Sequence, residues 1–260
     1  MNKIIISHRG MSSLAPENTL SAFKLCKEYG IKWFECDVDI LGDGTLIISH
    51  DDTLDRCTDK SGSLHNLKKE DLHNIDAGSW FSDNYIGERI PTLDELIELI
   101  NKYKLNVNFE LKSWGGNKDL EELLINKFAQ KLKEIDKERE VIVSSFNPIL
   151  LSKFKDISPQ TPVCCLFEKN KLDDYKSIME SCKAEYIHPQ SKGLTQKMVK
   201  EFKKHGYKIN VWTVNDLAKA NQLFNWGVDG IITDIGDKFP SKYKFKESLA
   251  KYIFKKMSGK

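Results

Sequence analysis

At 260 residues the chain is long enough for two small domains or for one α/β barrel, and its 40% hydrophobic and 30% charged composition argues against disorder and membrane-spanning classes. Forty Lys and Arg against 38 Asp and Glu leave a formal charge of +2, so no global field points to a nucleic-acid partner. The six cysteines include adjacent Cys164 and Cys165 but no C-x-x-C spacing, and no secretory segment precedes them, so buried, reduced thiols and a cytoplasmic location are expected.

In chain order, strands are predicted at residues 3–7, 33–39, 107–111, 141–144, 162–166, 184–187, 208–211 and 227–232. Helices are predicted at 19–29, 93–103, 119–134, 148–155, 172–181, 195–205, 216–226 and 241–255. Eight strands, each followed by a helix, point to a (β/α)8 TIM barrel rather than an open sheet. The first strand is the contiguous β-branched run Ile4, Ile5 and Ile6, which ends in His8, Arg9 and Gly10 at the strand tip, where such barrels keep their chemistry. Helix starts are marked by Pro16-Glu17-Asn18-Thr19 and by Pro91-Thr92-Leu93-Asp94-Glu95. The turn at Gly42-Asp43-Gly44 leads into a short hairpin strand at 46–49 that His50 terminates. About forty residues of weak periodicity then separate His50 from Pro91, far more than a usual βα loop, so an insertion at about 51–90 is expected within a single domain spanning 1–260.

Glu35 and Asp37 stand two apart in a β run, so both carboxylates share one face, which in a barrel is the interior. Two acids in an apolar strand are expensive to bury without a counter-ion. Glu110 and Lys112 share a face in the same way on the next main strand and, taken alone, satisfy each other as an ion pair. Together with Glu35 and Asp37 they offer three carboxylates from two strand ends, a hard oxygen donor set that suits one divalent cation, Mg2+ or Ca2+, better than zinc. His8 and His50 lie at strand ends beside Arg9 and Asp51, whereas His65 and His73 fall in the insertion, His205 at a helix terminus, and His188 after a strand. Two imidazoles, a cation and an arginine are what phosphodiester hydrolysis needs: a base, an acid for the leaving oxygen, and positive charge on the phosphate.

The pieces SHRG, PENTLSAF, FECDVDILGDGTLIISHDDTLDRCTDKSGSL, DAGSWF…GERIPTLDEL, NFELK, SSFNP, VWTVN and GVDGIITD occur in order along nearly the whole chain. In this ordered set the sequence resembles the glycerophosphodiester phosphodiesterases. The resemblance implies a (β/α)8 barrel with a segment inserted after the second strand, a divalent cation on Glu35, Asp37 and Glu110, and His8 and His50 as the acid–base pair. It implies further that Arg9 and Lys112 hold phosphate oxygens, that Trp212 faces the substrate, and that a small glycerophosphodiester is cleaved to glycerol 3-phosphate and an alcohol. A lysophospholipase D acting on long-chain lysophospholipids would share every one of these residues, and a catalytically dead binding barrel would have lost one of them. Family members often carry threonine where Cys57 stands, a position outside the expected chemistry.

Lesser features have expected roles of their own. Trp80 and Phe81 are expected to build a small core within the insertion rather than cap a substrate, Asp234 to cap the helix after the last strand, and Cys36 to face the helices. Asp51 is placed either to orient His50 or on the solvated surface. The basic tail puts Phe245, Leu249, Tyr252 and Ile253 on one stripe among seven lysines, expected as the eighth barrel helix in preference to a membrane-contacting one.

Overall fold

Every residue of the WFECDVDI run is buried, and the strand it forms sets the frame for the rest. The structure, a computed structural model, describes residues 3–113 and 117–239. In chain order its strands are β1 (Ile4–Ser7), β2 (Trp33–Ile40), β3 (Leu46–Ile48), β4 (Asn106–Leu111), β5 (Val141–Ser145), β6 (Val163–Phe167), β7 (Tyr186–Pro189), β8 (Lys208–Val211) and β9 (Gly230–Thr233). Its helices are α1 (Leu20–Glu28), α2 (Leu93–Tyr103), α3 (Lys118–Lys131), α4 (Pro148–Ile157), α5 (Tyr175–Ser181), α6 (Gln196–Lys204) and α7 (Leu217–Trp226). All strands but β3 run parallel, and β1 pairs with both β2 and β9, which closes the sheet into the expected eight-stranded barrel.

Period-two alternation sorts the side chains. On β2, Phe34, Cys36, Val38 and Ile40 point outward into the core between sheet and helices, where Phe34 packs on Phe23 of α1 at 4.6 Å between ring centroids. Cys36 is therefore where its parity placed it. Around the outer core Phe109, Phe128 and Phe154 stack in series, and truncating a fully buried ring of this kind to alanine costs about 3–5 kcal/mol. The inward face holds a smaller apolar floor of Ile6, Trp33, Ile142, Cys164 and Ile232. Helix starts follow the sequence signals: the Thr19 hydroxyl accepts from the Ala22 N–H, and Thr92 with Glu95 forms a complete capping box on α2.

β3 pairs antiparallel with β2, and the insertion that follows it is built of short 3-10 turns at Leu64–Asn66, Lys69–Asn74 and Asp83–Tyr85. Its weak periodicity reflects a core gathered from single turn residues: Leu54, Leu64, Leu72, Ile75, Ala77 and Ile90 pack on Leu41 and Ile47. It is tied to the barrel by the Tyr85 hydroxyl donating to the Leu14 carbonyl (2.9 Å) and by His65 against Asp39 (3.2 Å). Trp80 and Phe81 stay outside that core, packing edge-to-face on each other while Phe81 meets Tyr85 in the same way.

Strand boundaries moved by more than one residue in two places. The strand expected at 184–187 runs Tyr186–Pro189, which puts His188 inside it, and the one expected from 227 begins at Gly230 because Gly227 caps α7 at φ 114°. The helix and the apolar stripe expected in the basic tail lie outside the described residues. Among the described residues no helix is long and apolar enough to cross a membrane.

Candidate active site

The tip of β1 is held in an uncommon backbone conformation. Arg9 has φ 54° and Gly10 φ 79°, and a Cβ at position 10 would come within 2.8 Å of the Ala22 Cβ. A non-glycine residue in the left-handed region is costly, and such strain persists only where the surroundings over-determine it. Here the Arg9 N–H donates to Glu35 Oε2 (2.9 Å), and its carbonyl accepts from the N–H of Asn18 (3.0 Å), itself at φ 58°. The turn aims two side chains into the barrel mouth. His8 donates through Nδ1 to Asp234 Oδ1 (2.6 Å), since a carboxylate can only accept, and its Nε2 lies 3.9 Å from Glu35 Oε2. Burial pushes this imidazole down, but the Asp234 hydrogen bond and the charge of Glu35 outweigh it and raise its pKa overall.

Asp234 was expected to cap the helix after the last strand, which lies outside the described residues; its carboxylate orients His8. The turn that follows it, Gly236–Lys238, has no side-chain cap. The same carboxylate accepts from Asn215 Nδ2 (2.6 Å), which fixes it against β9. Replacing Asp234 with Asn removes the charge and leaves only a neutral amide oxygen as acceptor, so the influence that raises the His8 pKa is weakened. The limb of the kcat/KM profile reporting His8 then shifts to lower pH, a change that NMR titration of the imidazole would follow directly.

Glu35 and Asp37 on β2 meet Glu110 on β4, where Asp37 and Glu110 are register partners. One oxygen from each lies within 4.8 Å of the others, and Glu35 and Asp37 are only 4% and 1% exposed. At that spacing two full charges repel by roughly 3–4 kcal/mol at an effective dielectric of ~20. The strain shows in their titration: burial and the charge of Asp37 push Glu35 up to about 8 and raise Glu110 as well. Asp37 goes the other way, because Lys112, Arg9, His50 and the Asn18 amide together overcome its burial. Lys112 Nζ lies 3.0 Å from Glu110 Oε1 and 3.4 Å from Asp37 Oδ1, so the Glu110–Lys112 pair exists but is part of a larger cluster. Three converging carboxylates, only partly offset by Lys112 and Arg9, offer hard oxygen donors that fit a divalent cation, which Glu35, Asp37 and Glu110 would hold.

His50 follows β3 and donates through Nδ1 to Asp51 Oδ1 (2.5 Å), so Asp51 orients the ring. Asp51 is gripped in turn by Arg56, whose Nε meets Oδ2 at 2.6 Å; although burial opposes it, these hydrogen bonds hold the carboxyl at about 2. The other edge of Arg56 makes a bidentate contact with Glu17 (2.8 and 2.9 Å), and Glu17 accepts from Arg9 Nη1 (2.7 Å). One chain of charge-assisted bonds thus runs from His50, just ahead of the insertion, through Arg56 within it to Arg9 at the tip of β1. Glu17, Asn18 and Arg56 were not singled out as site residues, although Pro16-Glu17-Asn18-Thr19 had been read as a helix start. Arg56→Ala is expected to lower kcat about 10–100-fold by releasing both ends of this chain, while urea denaturation shows a stability change too small to account for the loss.

These groups open on a cavity of about 310 Å³ whose wall includes His8, Arg9, Glu35, His50, Glu110 and Trp212. Trp212 is fixed by Nε1–H donating to the His188 carbonyl (2.7 Å). His188 itself is fully buried in the barrel, where burial drives its imidazole down to about 3 and Nε2 accepts from the Asn210 amide (2.8 Å). It is a neutral packing group.

The expected residues therefore converge on the carboxyl ends of a (β/α)8 barrel, where acids, imidazoles and an arginine share one mouth. The sequence profile of the glycerophosphoryl diester phosphodiesterase family matches residues 8–238, and the chain belongs to that family. It is 36% identical to a glycerophosphodiester phosphodiesterase of Caldanaerobacter subterraneus over 90% of this chain and 95% of that protein. To a glycerophosphodiester phosphodiesterase of Bacillus subtilis it is 31% identical, over 91% of this chain and 85% of the other. Among solved structures, a phosphodiesterase of Oleispira antarctica in complex with the product sn-glycerol-3-phosphate superposes with a TM-score of 0.86 at 35% identity, covering 90% of this chain and 94% of that one.

Proposed function

We propose that the protein hydrolyses small glycerophosphodiesters to sn-glycerol 3-phosphate and an alcohol, with His8 and His50 as the acid–base pair and a divalent cation on Glu35, Asp37 and Glu110. The single observation that carries this reading is the convergence, at one barrel mouth, of three carboxylates with two histidines, each tied through Nδ1 to its own aspartate. Kinship to enzymes of that activity supports the choice of substrate class.

Both imidazoles spend Nδ1 on a carboxylate, which leaves Nε2 of each for proton transfer. One takes a proton from the nucleophile, water or the glycerol 2-hydroxyl, and the other gives one to the departing alcohol oxygen; where the 2-hydroxyl attacks, water then opens the resulting cyclic phosphate to give glycerol 3-phosphate. Arg9 and Lys112 set positive charge against the non-bridging phosphate oxygens. A bound cation supplies further charge neutralisation and lowers the pKa of a hydroxyl held on it. Glu17 and Asp37 hold the Arg9 guanidinium in place, so that its charge needs no reorganisation during reaction. The 51–90 insertion belongs to the same catalytic domain, because it delivers Arg56 to the His50 side of the site. The reading places the enzyme in phospholipid-headgroup and glycerol metabolism, in the cytoplasm.

The direct test follows glycerophosphocholine by 31P NMR with the purified chain and Mg2+ or Ca2+. Appearance of the glycerol 3-phosphate resonance with release of one equivalent of free alcohol is expected. Release of phosphocholine with free glycerol, or no turnover with either ion, would contradict the assignment.

A further inference from the structure

The barrel mouth has two unlike walls. His8, Arg9, Glu35 and Glu110 come from β1, β2 and β4, whereas the opposite side, from the ends of β5, β6 and β8, carries Phe146, Leu166, Glu168 and Trp212 around the same cavity. Phe146 is 46% exposed, and the ring it meets among the described residues is Trp212, edge-on, with centroids 5.6 Å apart and planes at 89°. Two aromatic surfaces at right angles form a corner. The only polar atom of Trp212 is already committed to the His188 carbonyl, and the Phe146 and Leu166 side chains have none, so these three offer π-electron density and apolar surface but no hydrogen bonds. Glu168, on the rim of the cavity, adds a carboxylate; its ion pair with Lys171 (3.0 Å) is between exposed groups and is correspondingly weak.

We infer that this corner is a headgroup subsite for a cationic alcohol, a quaternary or primary ammonium held over Phe146 and Trp212 with Glu168 as counter-charge. The inference rests on the hydrolase reading, which puts the glycerol phosphate on the opposite wall and so leaves the leaving alcohol to this one. A neutral polyol headgroup could donate to Glu168 but would lose water against the rings with nothing in return, whereas an ammonium gains the attraction of two ring faces as well as the carboxylate.

The test compares kcat/KM for glycerophosphocholine with that for its carbon isostere, the 3,3-dimethylbutyl diester, which has the same shape and no charge. A preference of roughly tenfold for the cationic substrate is expected, the size of one cation–π interaction partly removed from water. Glu168→Gln and Phe146→Leu each bring the ratio towards one, while Lys171→Gln, which frees Glu168, raises it. A ratio near one in the unaltered chain, or a ratio that neither Glu168→Gln nor Phe146→Leu moves, overturns the subsite while leaving the hydrolase reading intact. Failure to cleave either diester would instead overturn the hydrolase reading, and the subsite with it.

Discussion

Replacing His8 or His50 with alanine lowers kcat for a glycerophosphodiester by about 10²–10⁴-fold, the usual yield of a positioned general acid or base. The physical reason is in the anchoring: His8 is held by Asp234 and His50 by Asp51, so each presents Nε2 in a fixed direction, and neither can stand in for the other from its own side of the site. Because the two act in one reaction, the double variant should lose far less than the product of the single losses. Steady-state kinetics of the two single variants and the double variant measure this. Turnover close to that of the unaltered chain in His8→Ala would remove His8 from the chemistry.

The second large effect is expected at Asp37. Its carboxylate faces Lys112 (3.4 Å), Arg9 (3.5 Å) and the Asn18 amide (2.8 Å) while offering an oxygen to the cation cluster. Asp37→Asn removes one charge from the ligand set and leaves the half-buried Arg9 and Lys112 with fewer counter-charges. Cation affinity, read by isothermal titration calorimetry, should fall about 100-fold or more, exceeding what loss of a supporting contact causes. Circular dichroism should show an intact barrel, since the outer core on Phe34, Phe109 and Phe128 does not depend on Asp37.

What could be read from the chain before its structure follows the reach of each physical signal. Strand parity is local, so the shared faces of Glu35 with Asp37 and of Glu110 with Lys112 were legible, as was the outward Cys36. Closure of eight strands followed from their count and spacing. Ends of elements were harder: Gly227 was taken as strand when its left-handed backbone ends α7. Least legible were the groups that act through one another across long separations. Asp234 lies 226 residues from the His8 it orients, and Arg56 is 39 residues from Glu17, so no periodicity joins them. The insertion hid its role for a related reason, because its core is assembled from isolated turn residues rather than from a repeating face.

The central claim is that three carboxylates at the barrel mouth bind a divalent cation on which phosphodiester hydrolysis depends. Its most direct test is the rate of glycerophosphocholine cleavage after exhaustive chelation, followed by titration of Mg2+ or Ca2+ into the stripped protein. The expected result is loss of turnover on chelation and saturable recovery with at least one of the ions, a recovery that Glu35→Gln, Asp37→Asn and Glu110→Gln each weaken. Full turnover in the stripped protein, unchanged by added cation, would contradict it.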